Sequence, residues 1–251
     1  MEPRIDPGQR FFSRSITADP PGFKSEDNGA VVGRPRLFAG ISPGEYTRIL
    51  AAARARQFGR GEMLYLEGDS VQQIVQLTSG MVKITKFGES GSEVIVRLGV
   101  PGDVLGALGL FSAGRHCATA RAFRLCRALV WDAPVFKALT ERFPVLHHNM
   151  VRIVSEYLEE LEDRFREVAT ERVAPRVACQ LMRLLTQIGR PIDGEVEIGL
   201  SREELAQMTG TTLFTVSRLL SVWEARGLVR PLREAVAICD AESLRAICRE
   251  R

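Results

Sequence analysis

The most specific chemistry in the chain lies between Leu200 and Leu220. Ser201 precedes Glu204 by three residues, the pattern of a capping box that opens a helix. Ala206 is small where two helices must cross closely, and Gly210 permits a tight turn. Val216, Leu219 and Leu220 then supply the inner face of a second helix. This is helix-turn-helix spacing, which places the second helix to enter a DNA major groove. Gly227 stops that helix, and Leu228–Arg230 and Ala235–Ile238 predict a small hairpin, making the motif a winged one.

Other reactive residue types are scattered. The five cysteines, Cys117, Cys126, Cys179, Cys239 and Cys248, are odd in number and never spaced C-x-x-C. That argues against a disulfide framework or a zinc site and for buried, reduced thiols. No Ser/His/Asp set, phosphate-binding glycine loop or paired acid site stands out, so no catalytic residue and no metal site is assigned, and the reading is not an enzyme. A cupin-type metal barrel wants several histidines converging from strands, and the β-region holds only His116.

The elements that must position the reader follow from periodicity. Helices are predicted at Val173–Ile188, Arg202–Met208, Thr211–Arg226 and Ala241–Cys248, with a β-type patch at Val196–Ile198. Before them, His147, Val151, Val154, Leu158, Leu161, Phe165 and Val168 recur at alternating steps of four and three. A single amphipathic helix lying on its own domain would fit this pattern. A two-stranded coiled coil fits better, because the seam is narrow and its flanks are charged. From Arg56 to Val130, short β-type runs (Met63–Leu66, Ile74–Leu77, Met81–Ile84, Val94–Leu98, Leu125–Trp131) alternate with glycine-rich turns, the texture of an antiparallel sandwich or barrel. A helix is predicted from about Leu37 to Leu50, with Ser42, Pro43 and Glu45 as start signals. The chain of 251 residues, 45% hydrophobic with a net charge of +3, suffices for two cores and permits nucleic-acid binding without demanding it. No apolar run approaches the roughly 18–20 residues of a membrane span, and the first residues lack a secretory stretch, so the protein reads as soluble and cytoplasmic.

From about residue 37 to the end the chain resembles the CRP/FNR family of bacterial transcription regulators. The resemblance rests on Glu67-Gly68-Asp69, Gly80, Pro101-Gly102-Asp103-Val104-Leu105-Gly106 and Gly109-Leu110-Phe111. The long helix, Val173-Ala174-Pro175-Arg176-Val177-Ala178 and Thr215-Val216-Ser217-Arg218-Leu219-Leu220 complete it. It implies an α+β chain: an N-terminal antiparallel β-roll of the cyclic-nucleotide-binding, jelly-roll type, a long dimerisation helix and a C-terminal winged helix-turn-helix. The expected division is a flexible extension over 1–34, a sensory roll over 35–142, a dimer helix over 143–170 and a DNA-binding domain over 171–251. The implied partners are double-stranded DNA carrying an inverted repeat and a second copy of the chain, with no membrane. Surface residues 86–92 and 109–116 are candidates for touching RNA polymerase.

The resemblance also implies roles. Residues matching Leu213, Phe214, Ser217 and Arg218 face base edges. Arg218 suits guanine O6 and N7. Phe214 departs from the family's usual Glu and offers only apolar contact, for example to a thymine methyl. Thr211, Thr212 and Thr215 are candidate phosphate contacts; Arg226, Arg230 and Arg233 are either further backbone contacts or plain solvated surface arginines. The dimer seam is Val151, Val154, Leu158, Leu161, Phe165 and Val168. Effector-pocket candidates are Gly106, Ala107, Leu108, Arg115, His116, Cys117, Leu161 and Glu162. Ala107 stands where a ribose-binding Glu is usual, and His116-Cys117 where an Arg-Ser pair binds phosphate, which argues against cyclic AMP. Residues 1–34 contain no cysteine, which argues against an iron–sulfur cluster. Haem stays open, with His116, Cys117, His147 and His148 as candidate ligands. Cys117 beside Arg115 and His116 is a candidate redox thiol. The recognition helix is also similar to that of a nitric-oxide-responsive branch lacking cluster ligands. A cyclic-nucleotide-binding subunit without DNA function is the rival reading, and the helix-turn-helix after the long helix discriminates against it.

Overall fold

The computed structural model describes residues 35–249, so the extension expected over 1–34 lies outside the described residues. Two four-stranded antiparallel sheets form the roll. One has the order β1(Arg54–Phe58)-β8(Cys126–Asp132)-β3(Gln73–Ser79)-β6(Val104–Leu105). The other runs β2(Met63–Tyr65)-β7(Thr119–Ala122)-β4(Val82–Phe87)-β5(Glu93–Gly99). Alternating residues of both sheets bury Phe58, Val75, Leu77, Val82, Ile84, Ala120, Ala128 and Val130 between them. Gly80, at φ +87°, lets the chain turn where any Cβ would sit 2.3 Å from the Leu125 carbonyl oxygen.

A second core covers the outer side of the first sheet. It joins a 3-10 turn (Arg36–Phe38), α1(Pro43–Ala51), α3(Ala133–Arg142) and the start of α4(Pro144–Thr170) around Trp131. The indole N–H of Trp131 donates to the Ile49 carbonyl at 2.8 Å, so its one polar atom is satisfied inside the core. The short α2(Ala107–Leu110) joins this same core, with Ala107 buried in it and Leu110 packed against it. The expected helix over 37–50 is broken. Its regular part starts at Pro43, because Ser42 and Glu45 form the complete capping box there, and residues 36–38 make a separate turn.

The third core belongs to the C-terminal domain: α5(Val173–Ile188), α6(Arg202–Thr209), α7(Leu213–Ala225), α8(Ala241–Arg249) and a small sheet ordered β11(Val229–Pro231)-β12(Val236–Ile238)-β10(Glu195–Ile198)-β9(Arg190–Ile192). Its buried centre includes Val177, Leu181, Leu184, Leu205, Val216, Leu220, Trp223 and Leu244. Met81, Ile95 and Leu98, from the hairpin region of β4 and β5, are part of the same cluster. The roll is therefore wedged into the helical domain rather than tethered to it. Polar ties follow the β5 strand. The Val96 carbonyl accepts from Arg164, the Leu98 carbonyl from Gln187 at 3.3 Å, and the Glu93 carboxylate from Gln207 at 3.4 Å.

One cysteine expectation is overturned. Cys179 on α5 and Cys248 on α8 form a disulfide. The tertiary fold brings two positions 69 residues apart to a Cα–Cα distance of 4.8 Å, a juxtaposition no local spacing signals. Of the other three, Cys126 is a buried free thiol, while Cys117 and Cys239 are exposed.

Candidate nucleic-acid interface

The reader starts from a capped helix. The Ser201 hydroxyl accepts from the Glu204 N–H, and the Glu204 carboxylate accepts from the Ser201 N–H, fixing the start of α6. The same carboxylate also pairs with Lys83 of β4, whose ammonium lies 4.4 Å above the Phe123 ring. One side chain thus closes the helix cap and binds the roll. Gly210, at φ +59°, ends α6 in the left-handed region that favours glycine. Thr212 caps α7, its hydroxyl accepting from the Thr215 N–H at 3.1 Å and lying 2.9 Å from the Thr215 hydroxyl. Arg176 secures this turn from behind. Its guanidinium donates to the Thr209 carbonyl at 2.7 Å, to that of Gly210 at 3.5 Å, and to that of Glu171 past the end of α4 at 3.3 Å.

Burial then divides α7 into two faces. Val216, Leu220 and Trp223 point into the core. Leu213 is 50% exposed and Phe214 74% exposed, Arg218 is exposed, and Ser217 and Thr215 are half-buried beside them. Thr211 and Thr212 sit at the helix entrance, where backbone N–H groups and the helix dipole favour phosphate. The arrangement offers a groove-sized helix with a cation, a hydroxyl and two apolar side chains on one outward face. In the wing, Arg230 is held by Glu195, whose carboxyl this pairing lowers below its usual range, so Arg230 is less free for DNA than exposed Arg226 and Arg233. Residues 88–92 form the exposed turn between β4 and β5.

The 27-residue α4 places the seam on its outer side. Val151, Leu158, Leu161, Phe165 and Val168 are each more than half exposed, and Val154 is half-buried against the second core. The opposite side engages the roll. Asn149 donates to the carbonyls of Leu37 and Ala39, and Tyr157 lies under the Arg97 guanidinium at 4.2 Å.

The effector candidates are not brought together in one chain. Ala107 and His116 are buried, with Gly106 beside them, but Leu108, Cys117, Leu161 and Glu162 face outward. Leu161 and Glu162 belong to the seam side of α4, away from their own roll, because Tyr157 and Arg164 occupy the inward turns. Arg115 is committed to the Gly68 carbonyl at 2.7 Å. His116 stacks on Tyr65 with ring centroids 3.7 Å apart and planes within 5°. Burial lowers the His116 pKa against the opposing pull of Asp69, which favours the neutral ring. Burial also pushes the Tyr65 phenol up to about 12. Tyr65 gave no signal in the sequence, since only the fold shows it beneath His116. The candidate haem ligands are dispersed, as His147 meets Phe111 edge-on at the surface while His116 is inside. Among the described residues no group of three or more His, Cys, Asp or Glu side chains is placed to hold a metal ion.

Two family matches coincide with these units: a cyclic nucleotide-binding domain over residues 55–143 and a Crp-like helix-turn-helix domain over residues 175–247. A "CRP-like cAMP-activated global transcriptional regulator" of Mycobacterium tuberculosis is 26% identical over 85% of this chain and 96% of its own length. A "Global nitrogen regulator" of Synechococcus elongatus is 30% identical over 75% of this chain and 86% of its own length. The structure of FixK2 from Bradyrhizobium japonicum superposes with a TM-score of 0.70 at 21% identity, covering 79% of this chain and 98% of that one. A nucleotide-sensor-like roll joined by a long helix to a winged helix-turn-helix defines a DNA-binding transcription regulator. The chain belongs to the CRP/FNR family. Among the described residues no helix is long and apolar enough to cross a membrane.

Proposed function

We propose that the protein works as a homodimer that reads an inverted repeat, with α4 pairing against α4 of a second copy. The observation that carries this reading is the seam: apolar side chains at coiled-coil spacing, with Phe165 74% exposed and Leu161 51% exposed, bordered by charged residues. Pairing these seams relates two α7 helices by a two-fold axis, so that each enters one half-site. At each half-site Arg218 reads guanine, Phe214 selects an apolar edge such as a thymine methyl, and Thr211, Thr212 and Thr215 grip phosphates.

The effector, in this reading, is neither a cyclic nucleotide nor an iron–sulfur cluster. Ala107 and Cys117 offer no carboxylate and no hydroxyl at the positions such a nucleotide needs, and the Tyr65–His116 stack fills the roll interior beside Gly106. A signal received by the roll reaches the reader through the β4–β5 wedge and the Lys83–Glu204 pair, shifting the balance between reader positions. Sedimentation of the double variant Leu158→Glu, Phe165→Glu tests the dimer. A folded monomer is expected beside a dimeric parent, and an unchanged dimer would overturn the reading.

A further inference from the structure

The disulfide lies outside everything the reader's geometry uses, yet it is not sealed in the core. Cys179 is 9% exposed and Cys248 is half-buried. Both line an open groove of about 1020 Å³ between the C-terminal half of α4, α5 and α8. Its walls carry four arginines. Two are neutralised: Arg183 by a two-pronged pairing with Glu167, both bonds 2.7 Å, and Arg166 by Glu171 and Asp163. The other two, Arg245 and Arg249 on α8, lie three residues before and one residue after Cys248, and neither forms an ion pair among the described residues. Two cations without an ion-pair partner among the described residues thus share the groove with Cys248, the more accessible cysteine of the pair. That is the setting that favours a thiolate over a thiol and lets sulfur act as attacker and leaving group.

The bond's place in the fold gives it leverage on the reader. It joins α5 to α8 across 69 residues, enclosing α6, α7 and the wing in one covalent ring. On α5, Cys179 lies three residues after Arg176, the side chain that ties the helix-turn-helix turn to the end of α4. Opening the bond frees α8 and loosens the helix on which Arg176 is mounted.

We propose that Cys179 and Cys248 form a reversible thiol–disulfide couple, exchanging through this groove with small thiols and disulfides that carry carboxylates, and that its state sets the reader's affinity for DNA. In the reducing direction a small thiolate attacks Sγ of Cys248, the Cys248–Cys179 bond breaks, and Cys179 departs as a thiolate and takes a proton. A second small thiolate attacks the small-molecule sulfur of the mixed disulfide, releasing a small disulfide and the Cys248 thiolate. Two small thiols are oxidised and one protein disulfide is reduced. In the oxidising direction Cys248 attacks the small disulfide and Cys179 resolves the mixed disulfide. Arg245 and Arg249 hold the carboxylates of the small molecule and stabilise the Cys248 thiolate.

The test uses the full chain equilibrated with mixtures of reduced and oxidised glutathione, a carboxylate-bearing pair. Thiol trapping with peptide mapping reads the Cys179–Cys248 bond, and DNA affinity is measured on the same samples. The bond is expected to pass from open to closed across these mixtures, with the open form binding DNA about tenfold more weakly as the reader loses its preorganisation. In Cys179→Ser, glutathione should be captured on Cys248. The double variant Arg245→Gln, Arg249→Gln should slow exchange with glutathione more than exchange with neutral 2-mercaptoethanol, since the neutral thiol loses only the stabilised Cys248 thiolate; equal slowing would overturn the role of the arginines as carboxylate holders. A bond that opens only after the protein is unfolded, or never closes, would overturn the couple. Equal affinity of open and closed forms for DNA would overturn its control of the reader. The trapping readout does not depend on DNA, so failure of the couple is distinct from failure of the inverted-repeat reading.

Discussion

The roll and the reader treat their candidate chemistry in opposite ways. The reader pushes its candidate recognition residues outward: Phe214, Leu213 and Arg218 stand clear of a core built from Val216, Leu220 and Trp223. The roll turns its side chains toward its own interior and toward the long helix: His116 lies flat on Tyr65, and Arg97 covers Tyr157 of α4. A helix entering a groove needs a rigid frame and a bare face, so changing one exposed residue alters specificity without touching the frame. A sensor pocket is part of the core it sits in, so losing ligand-binding groups is coupled to refilling the space. Family membership therefore constrains what the reader does more closely than what the roll senses.

The largest effect that separates the two regions is covalent. Cys248→Ser should lower the stability of the reader by about 4 kcal/mol, the chain-entropy value for closing a ring of this length, and leave the roll's core intact. Urea unfolding followed by Trp223 in a Trp131→Phe background reports on the reader alone, since these are the two tryptophans of the chain. A midpoint equal to that of the parent would break the comparison.

Next comes the bare face. Arg218→Ala should cost about 1–3 kcal/mol of specific binding and relax preference at one base pair per half-site, while non-specific binding changes little. Phe214→Glu should move the preferred base at a neighbouring position toward the cytosine that a carboxylate can accept from. Binding isotherms on a set of single-base variants measure both, and a uniform loss across all sequences would remove these residues from base reading.

A smaller effect is expected where the regions meet. Lys83→Met leaves Glu204 with its cap partner Ser201 but without its cation, at a cost of about 2 kcal/mol for a buried charge that keeps its hydrogen bond but loses its ion partner. Faster hydrogen exchange in α6 should accompany it. Unchanged exchange would mean that the pair does not couple roll to reader.

The smallest effect is inside the roll. His116 is buried with a folded pKa below its ordinary 6.5, so the unfolded chain binds the proton more readily. Its contribution is present above about pH 6.5 and is lost as the pH falls below that value. His116→Phe should flatten that part of the Tm-against-pH curve relative to the parent. A variant with the same slope would place the titration elsewhere.

What the sequence makes legible is what local rules govern. The capping boxes at Ser42/Glu45 and Ser201/Glu204, the Gly210 turn, the wing hairpin and the seam of α4 are all readable because each is fixed by residues a few positions apart. No strand is predicted over β1, whose Arg-Ala-Arg-Gln-Phe sequence is mostly exposed and becomes a strand only by pairing with β8. None is predicted over β7 either, where alanines serve close packing between sheets rather than β-propensity. The Cys179–Cys248 bond and the Tyr65–His116 stack join positions 69 and 51 residues apart, so only the tertiary fold reveals them. Leu161 and Glu162 illustrate the converse. A position along a helix is readable from sequence, but which neighbour it meets depends on which way the helix is rotated.

The central claim is a two-fold reader, and selection of bound DNA from a random pool by the purified full chain tests it most directly. The account predicts enrichment of an inverted repeat with half-site centres about 10 base pairs apart, or a multiple of that turn, carrying a guanine for Arg218 and an apolar edge for Phe214. Enrichment of a single unrepeated site by folded protein, or of the same repeat at the same affinity by the seam variant Leu158→Glu, Phe165→Glu, would contradict it.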